Sequence, residues 1–227
     1  MIIIDKEGTN NSYLNNANPG PRPLFLNGTM NNRVVKLIWI ILPTVFVFLF
    51  SCASTQQKKG GPPDARLYNN RGIAYGEKGQ YDQAISEFSK AIQINPNYDK
   101  AYNNRGIVYR LKGEYDQAIS DFNKAIQINS LEAEGYNNLA WLYATAKSPV
   151  FRNGKKAVEL GTMACELSVW RNAEYLDTLA AAYARAGDFD NAVKWQEKAL
   201  QSAGESKKSE AQQRLNFYRS RKPWPED

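Results

Sequence analysis

Along "YDQAISEFSKAIQIN" the apolar residues fall at Tyr81, Ala84, Ile85, Phe88, Ala91 and Ile92. Steps of three and four place them on one face of a helix. The stretch before it, "LYNNRGIAYGEKG", has Tyr68, Gly72 and Tyr75 at steps of four and three, which predicts a shorter helix. Gly79 lies between the two and predicts the stop of the first, because glycine adopts the left-handed conformation after a helix at little cost. Asp82 falls in the first turn of the second helix, where a carboxylate complements the helix dipole. Pro96 ends the pair.

The pattern returns 34 residues later, from "LYNNRGIAYGEKGQYDQAISEFSKAIQIN" to "AYNNRGIVYRLKGEYDQAISDFNKAIQIN". Residues 65–98 and 99–132 share 22 identities in 34 positions, so the unit is an internal repeat. Two divergent copies follow. Tyr136, Ala140 and Tyr143 repeat the first helix, and Ala157 and Ala164 the second, across a turn "KSPVFRNG" that carries five extra residues. Leu176, Ala180, Tyr183, Gly187, Ala192 and Ala199 mark the fourth copy. Gly161 and Gln196 stand where the first two copies have Phe88 and Phe122. A last amphipathic stretch, 207–221, presents Leu215, Phe217 and Tyr218 and ends before Pro223.

These positions resemble the tetratricopeptide repeat (TPR). That motif has a bulky residue at position 4, Gly or Ala at 8, Tyr at 11, Ala at 20, an aromatic at 24, Ala at 27 and Pro at 32. The first copy supplies Tyr68, Gly72, Tyr75, Ala84, Phe88, Ala91 and Pro96; the second supplies Tyr102, Gly106, Tyr109, Ala118, Phe122 and Ala125, with Ser130 in place of Pro. The resemblance implies an all-α fold, a superhelix (α-solenoid) of four helix pairs at 65–98, 99–132, 133–171 and 173–206. The 207–221 stretch is the natural cap, since a terminal repeat needs a polar outer face.

In the TPR family the first helix of each repeat lines a concave groove, chiefly through positions 2, 5, 6, 9, 12 and 13. Carried onto this chain, position 6 is Asn70, Asn104 and Asn138, and position 5 is Asn69, Asn103 and Asn137. Position 2 is Arg66, Lys100 and Glu134, and position 9 is Ile73, Ile107 and Trp141. An amide both donates and accepts, so an asparagine ladder is suited to holding the backbone of an extended peptide. The other reading is that some of these amides bond only to their neighbours. The groove is expected to be basic at its first end and more acidic toward Glu134 and Asp177. The two-carboxylate clamp of chaperone-binding TPR domains is not expected, because Asn69, Ile73, Glu134 and Asn138 break its pattern.

The amino-terminal region reads differently. Residues 1–29 are rich in Asn, Gly and Pro, a composition that cannot bury a core and predicts disorder. Residues 30–51 join Arg33 and Lys36 to an apolar run from Leu37 to Phe50, interrupted by Pro43. The run is shorter than the roughly 20 residues a membrane-spanning helix needs, and a charged lead with a short apolar core predicts a secretory signal. Its end, "LFSC", resembles the bacterial lipobox, which implies lipidation of Cys52 and cleavage before it. Met30 is then the expected initiator. The polar, Gly/Pro-rich 52–64 is a flexible tether. Ala53, rather than Asp, resembles the rule for outer-membrane sorting. The alternative is an uncleaved helix holding the protein at the inner membrane.

Composition narrows the function. There is no histidine, and the two cysteines, Cys52 and Cys165, form no metal-ligand or disulfide pattern. Cys165 lies on a helical apolar stripe and reads as core. No Gly-rich phosphate loop is present, and the lysines of "NGKK" read as a solvated helix start. No enzyme, cofactor, metal or small-molecule substrate is therefore expected. The net charge of +6 is mild, and the cations of the last helix, Lys207, Lys208, Arg214, Arg219, Arg221 and Lys222, read as its wet side rather than as a nucleic-acid surface. The expectation is an envelope lipoprotein that binds protein or extended-peptide partners.

Overall fold

The structure, a computed structural model, describes residues 64–224. The readings placed on residues 1–63, Cys52 among them, lie outside the described residues. Among those described there are nine α-helices and no strand. They are α1 (Ala65–Glu77), α2 (Tyr81–Ile94), α3 (Asp99–Leu111), α4 (Tyr115–Ile128), α5 (Ala133–Thr145), α6 (Gly154–Leu167), α7 (Ala173–Arg185), α8 (Phe189–Ser202) and α9 (Glu205–Arg219). Helices pack as the pairs α1–α2, α3–α4, α5–α6 and α7–α8, and each first helix also rests on the first helix of the next pair. The result is an all-α TPR solenoid. α9 packs on α8 as the cap; it starts and ends two residues earlier than the 207–221 expected from sequence.

The turns follow the local chemistry. Gly79, Gly113 and Gly187 have φ of 71°, 78° and 84° and stop the first helices of pairs one, two and four. Asn172 caps α7 by accepting from the backbone N–H groups of Glu174 and Tyr175. Asp188 caps α8 by accepting from the Asn191 backbone N–H at 3.1 Å.

Within a pair, the small residue at position 8 and the aromatic at position 24 are two halves of one contact. A Cβ added at Gly72 would lie 2.6 Å from Phe88 Cε1, and one at Gly106 would lie 2.7 Å from Phe122 Cε1. Both phenyl rings are buried. The later pairs exchange the terms. Ala140 replaces the glycine and Gly161 the aromatic, and Leu179 of α7 fills in beside Gly161. A second exchange occurs one residue earlier in each helix. Arg71 pairs with Glu87 at 3.0 Å, and Arg105 grips Asp121 through Nε at 2.7 Å and Nη2 at 2.8 Å. In the third and fourth pairs these positions become Leu139–Leu160 and Leu179–Trp195, each pair in one apolar cluster.

The longer connection of the third pair contains a three-residue 3-10 turn, Pro149–Phe151, pinned to the preceding helices. Phe151 lies against Tyr115 at 5.1 Å. Arg152 donates to the carbonyls of Ala146 and Lys147 at 2.6 and 2.8 Å, and the Asn153 N–H donates to the Tyr143 carbonyl at 2.8 Å. Gly154 then meets the end of α7 so closely that a Cβ would lie 2.6 Å from the Ala186 nitrogen. Cys165 is fully buried, and burial pushes its thiol up to about 12, so it is an inert core residue.

Candidate functional site: the face of the first helices

The asparagines at positions 5 and 6 are joined across repeats. Asn104 Nδ2 donates to Asn69 Oδ1 at 3.0 Å. One repeat later, Asn138 Nδ2 donates to Asn103 Oδ1 at 2.9 Å. The acceptors Asn69 and Asn103 are each only 4% exposed, while Asn104 and Asn138 are half-buried. Each rung therefore ties one first helix to the next in a register set by the sequence repeat. Of the three position-6 amides, only Asn70 is exposed and has no rung behind it.

The ladder changes at the fourth repeat. Thr178 stands at position 6, and Asn137 Oδ1, buried at position 5 of the third repeat, has no hydrogen-bond partner. Position 5 of the fourth repeat is Asp177, and its donor comes from the cap. Arg214 Nε of α9 donates to Asp177 Oδ1 at 2.8 Å, and Arg214 Nη1 donates to Glu210 at 2.8 Å. Gln196, fully buried at position 24, donates to the same Asp177 oxygen at 2.7 Å and to the Ala211 carbonyl at 3.1 Å. Burial pushes the Asp177 carboxyl above the usual carboxylate range, against the pull of Arg214 and Gln196.

Two expectations are corrected here. Arg214 is not on the wet side of the cap helix; it is buried, because the last rung needs a donor long enough to cross from α9 to α7. Asp177 does not make the groove acidic, because it is buried and paired. A signal for both is present in the sequence. Position 5 reads Asn, Asn, Asn, Asp, and a carboxylate in an amide register calls for a cation.

The remaining candidates divide by repeat. Arg66 has an 80% exposed side chain, and Lys100 is also exposed. Ile73 and Ile107 are half-buried, Ile73 against the apolar cluster that contains Ala84, Phe88 and Val108 and Ile107 against the one that contains Phe122, Leu139 and Leu142. Glu134, at position 2 of the third repeat, is half-buried. Burial, then the neighbouring Glu132, raises its carboxyl above the usual range. Trp141 lies beneath the cap, with its ring centroid 5.4 Å from the Arg214 guanidinium carbon. Among the described residues no cluster of three or more potential metal ligands occurs. No described helix is long and apolar enough to cross a membrane.

The chain matches known families in sequence and known structures in fold. Models of the tetratricopeptide repeat match residues 99–130 and 172–205, and a TPR repeat model matches residues 72–112. The chain is a tetratricopeptide-repeat protein. No curated sequence relative matches it. Among solved structures, the MamA protein is similar over 69% of this chain and 81% of its own, at 21% identity and TM-score 0.55. Pseudomonas aeruginosa PilF is similar over 69% of both chains, at 19% identity and TM-score 0.59. YrrB, described as a TPR protein with an unusual peptide-binding site, is similar over 75% of this chain and 82% of its own, at 19% identity and TM-score 0.53. At these identities the likeness is one of fold.

Proposed function

We propose that this protein is a non-enzymatic scaffold that binds an extended segment of a partner protein along its first helices. It is tethered to the bacterial cell envelope through a lipidated Cys52, at the outer membrane. The observation that carries the binding reading is the open face of the first two repeats. Arg66, Asn70 and Lys100 point polar groups outward there, beside the half-buried Ile73 and Ile107. A peptide backbone needs amide partners and its side chains need apolar hollows, and this row supplies both. The cations favour an acidic segment. The peptide-binding site ascribed to YrrB supports the same reading. The pilus-biogenesis description of PilW, which has the same fold, supports a role in assembling envelope machinery.

The test is affinity capture from envelope extract with the full chain. Reversing charge by Arg66→Glu together with Lys100→Glu abolishes capture while leaving the unfolding temperature unchanged. Capture that is equal with both proteins refutes this face. Palmitate labelling of the protein, lost in Cys52→Ala, tests the anchor. Labelling that persists in Cys52→Ala refutes lipidation at that residue.

A further inference from the structure

In a solenoid each first helix offers one face to the repeat before it. That face carries positions 3, 6, 7 and 10. In the second repeat it is Ala101, Asn104, Arg105 and Val108; α1 and α2 pack on this helix, and Ala101 and Val108 are buried. Leu139 and Leu142 of the third repeat are buried in the same way, as are Leu179 and Ala182 of the fourth. In the first repeat the face is Leu67, Asn70, Arg71 and Ala74, and all four are exposed. Leu67 shows 55% of its surface. The Arg71 side chain shows 50%, against 19% for Arg105. Asn104 donates to Asn69 across the interface, whereas Asn70, in the same register, has no amide behind it among the described residues. The interface between repeats therefore continues to the edge of α1 and stops there without its partner.

The other end is closed, because α9 lies on α8. A second copy cannot seat its first helices there, so head-to-tail stacking is blocked. Head-to-head pairing is open, and it is a closed twofold arrangement in which one patch serves both copies. The helix α1 is self-complementary in that arrangement. Residues advance by about 100° per position. This puts Leu67 and Ala74 at the middle of the face, Asn70 on one flank and Arg71 on the other. With two α1 helices antiparallel and the twofold axis between Asn70 and Arg71, Leu67 of each copy meets Ala74 of the other, large against small. The Asn70 amides meet across the axis, and an amide donates and accepts at once. Charges match at both ends: Arg66 faces Glu77, and Asp64 faces Lys78, of the other copy. The two Arg71 side chains come near each other, and each brings its own counter-ion, Glu87, at 3.0 Å.

We propose that the exposed face of α1 is the surface through which two copies of this protein pair, antiparallel, about a twofold axis between Asn70 and Arg71. The occupant is a second copy because the face continues an interface this chain already makes with itself, and because its sizes and charges match their own reversal. The pair carries two grooves, so it engages a partner with two binding segments by avidity.

The test uses the full chain in detergent. Cysteine variants are built on Cys52→Ala so that the introduced thiol is the reactive one; Cys165 is buried. Mixing a Leu67→Cys chain with an Ala74→Cys chain under mild oxidation is expected to give a covalent dimer on a non-reducing gel. Neither chain alone should do so, because like positions lie about 10 Å apart along the pair, beyond the reach of a disulfide. In sedimentation the natural chain is expected as a dimer. Ala74→Glu, at an exposed position, should raise the dissociation constant at least about tenfold and leave the unfolding temperature unchanged. Three results overturn the proposal. The first is no mixed dimer while both cysteines react freely with maleimide, which means no pairing. The second is cysteines shielded in a monomeric chain, which assigns the face to another part of the same chain. The third is a dimer from either single-cysteine chain alone, which means a different register. Arg66 and Lys100 are natural in every chain used, so failure here leaves the capture experiment as it stood.

Discussion

Glycines sixteen residues from their aromatics give the sharpest residue-scale consequences. Gly72→Ala forces a methyl against Phe88, where the nearest ring atom would be 2.6 Å away. Overpacking of this kind costs about 1–3 kcal/mol, which a denaturant titration will read as a lower midpoint. Four residues on, Gly76 meets nothing closer than Val108 at 3.8 Å. Gly76→Ala is therefore expected to stabilise by about 0.5–1 kcal/mol, through helix propensity and a less disordered unfolded chain. The opposite signs separate packing from backbone freedom within one helix. Glu134 supplies a pH signature. Its folded carboxyl titrates above its unfolded value, so the folded state holds the extra proton between the two. Stability then falls as pH rises from the ordinary carboxylate range through the folded value, and the loss persists at neutral pH. Glu134→Gln should raise the unfolding temperature at pH 7, with the gain vanishing at pH 3; a gain of equal size at pH 3 would point to packing instead.

At the scale of elements, the cap is tied in by one buried cation. Removing one partner of a buried ion pair leaves the other charge uncompensated, at about 3–5 kcal/mol. Arg214→Ala is expected to cost in that range and to free α9, seen as hydrogen exchange in Glu205–Arg219 well above that of α7. Adding Asp177→Asn should recover part of the loss, because the orphaned group is then neutral. The same logic explains how the array changes along its length. The first two repeats hold their pairs with Arg71–Glu87 and Arg105–Asp121, and the last two use Leu139–Leu160 and Leu179–Trp195. Replacing a largely buried ion pair such as Arg105–Asp121 by well-packed apolar residues is often neutral or stabilising, so the fold survives the exchange while its surface chemistry does not.

At the scale of the molecule, contacts run between neighbouring helices, so stability is a sum of repeats and interfaces. The helix α1 packs on α2 and α3, whereas α5 and α7 are covered on both sides. Amides of α1 should exchange fastest among the first helices, and those of α7 slowest, in a native-state exchange experiment. Uniform protection across the array would refute this quasi-linear view. The open end and the capped end also differ in the surface they present. The first two repeats present Arg66, Asn70 and Lys100 outward, while the third and fourth are covered by Arg214 and Trp224.

Helix positions, the turn glycines and the repeat itself were legible in the sequence because they rest on local rules. Apolar spacing of three and four specifies a helical face, and Gly79 or Gly113 can stop a helix with no outside help. The 34-residue period then determined the fold class, since two nearly identical copies must pack in nearly identical ways. The candidate site was legible only in register. Sequence placed Asn70, Asn104 and Asn138 in one row. Only the tertiary structure decided that Asn104 and Asn138 are turned to Asn69 and Asn103, that Arg214 is buried, and that Trp224 lies over Arg214 beside Trp141. Those outcomes depend on which side chain from a distant helix satisfies a buried polar atom, and residues 37 and 39 positions apart, such as Asp177 with Arg214 and Arg185 with Trp224, leave no periodic trace in the chain.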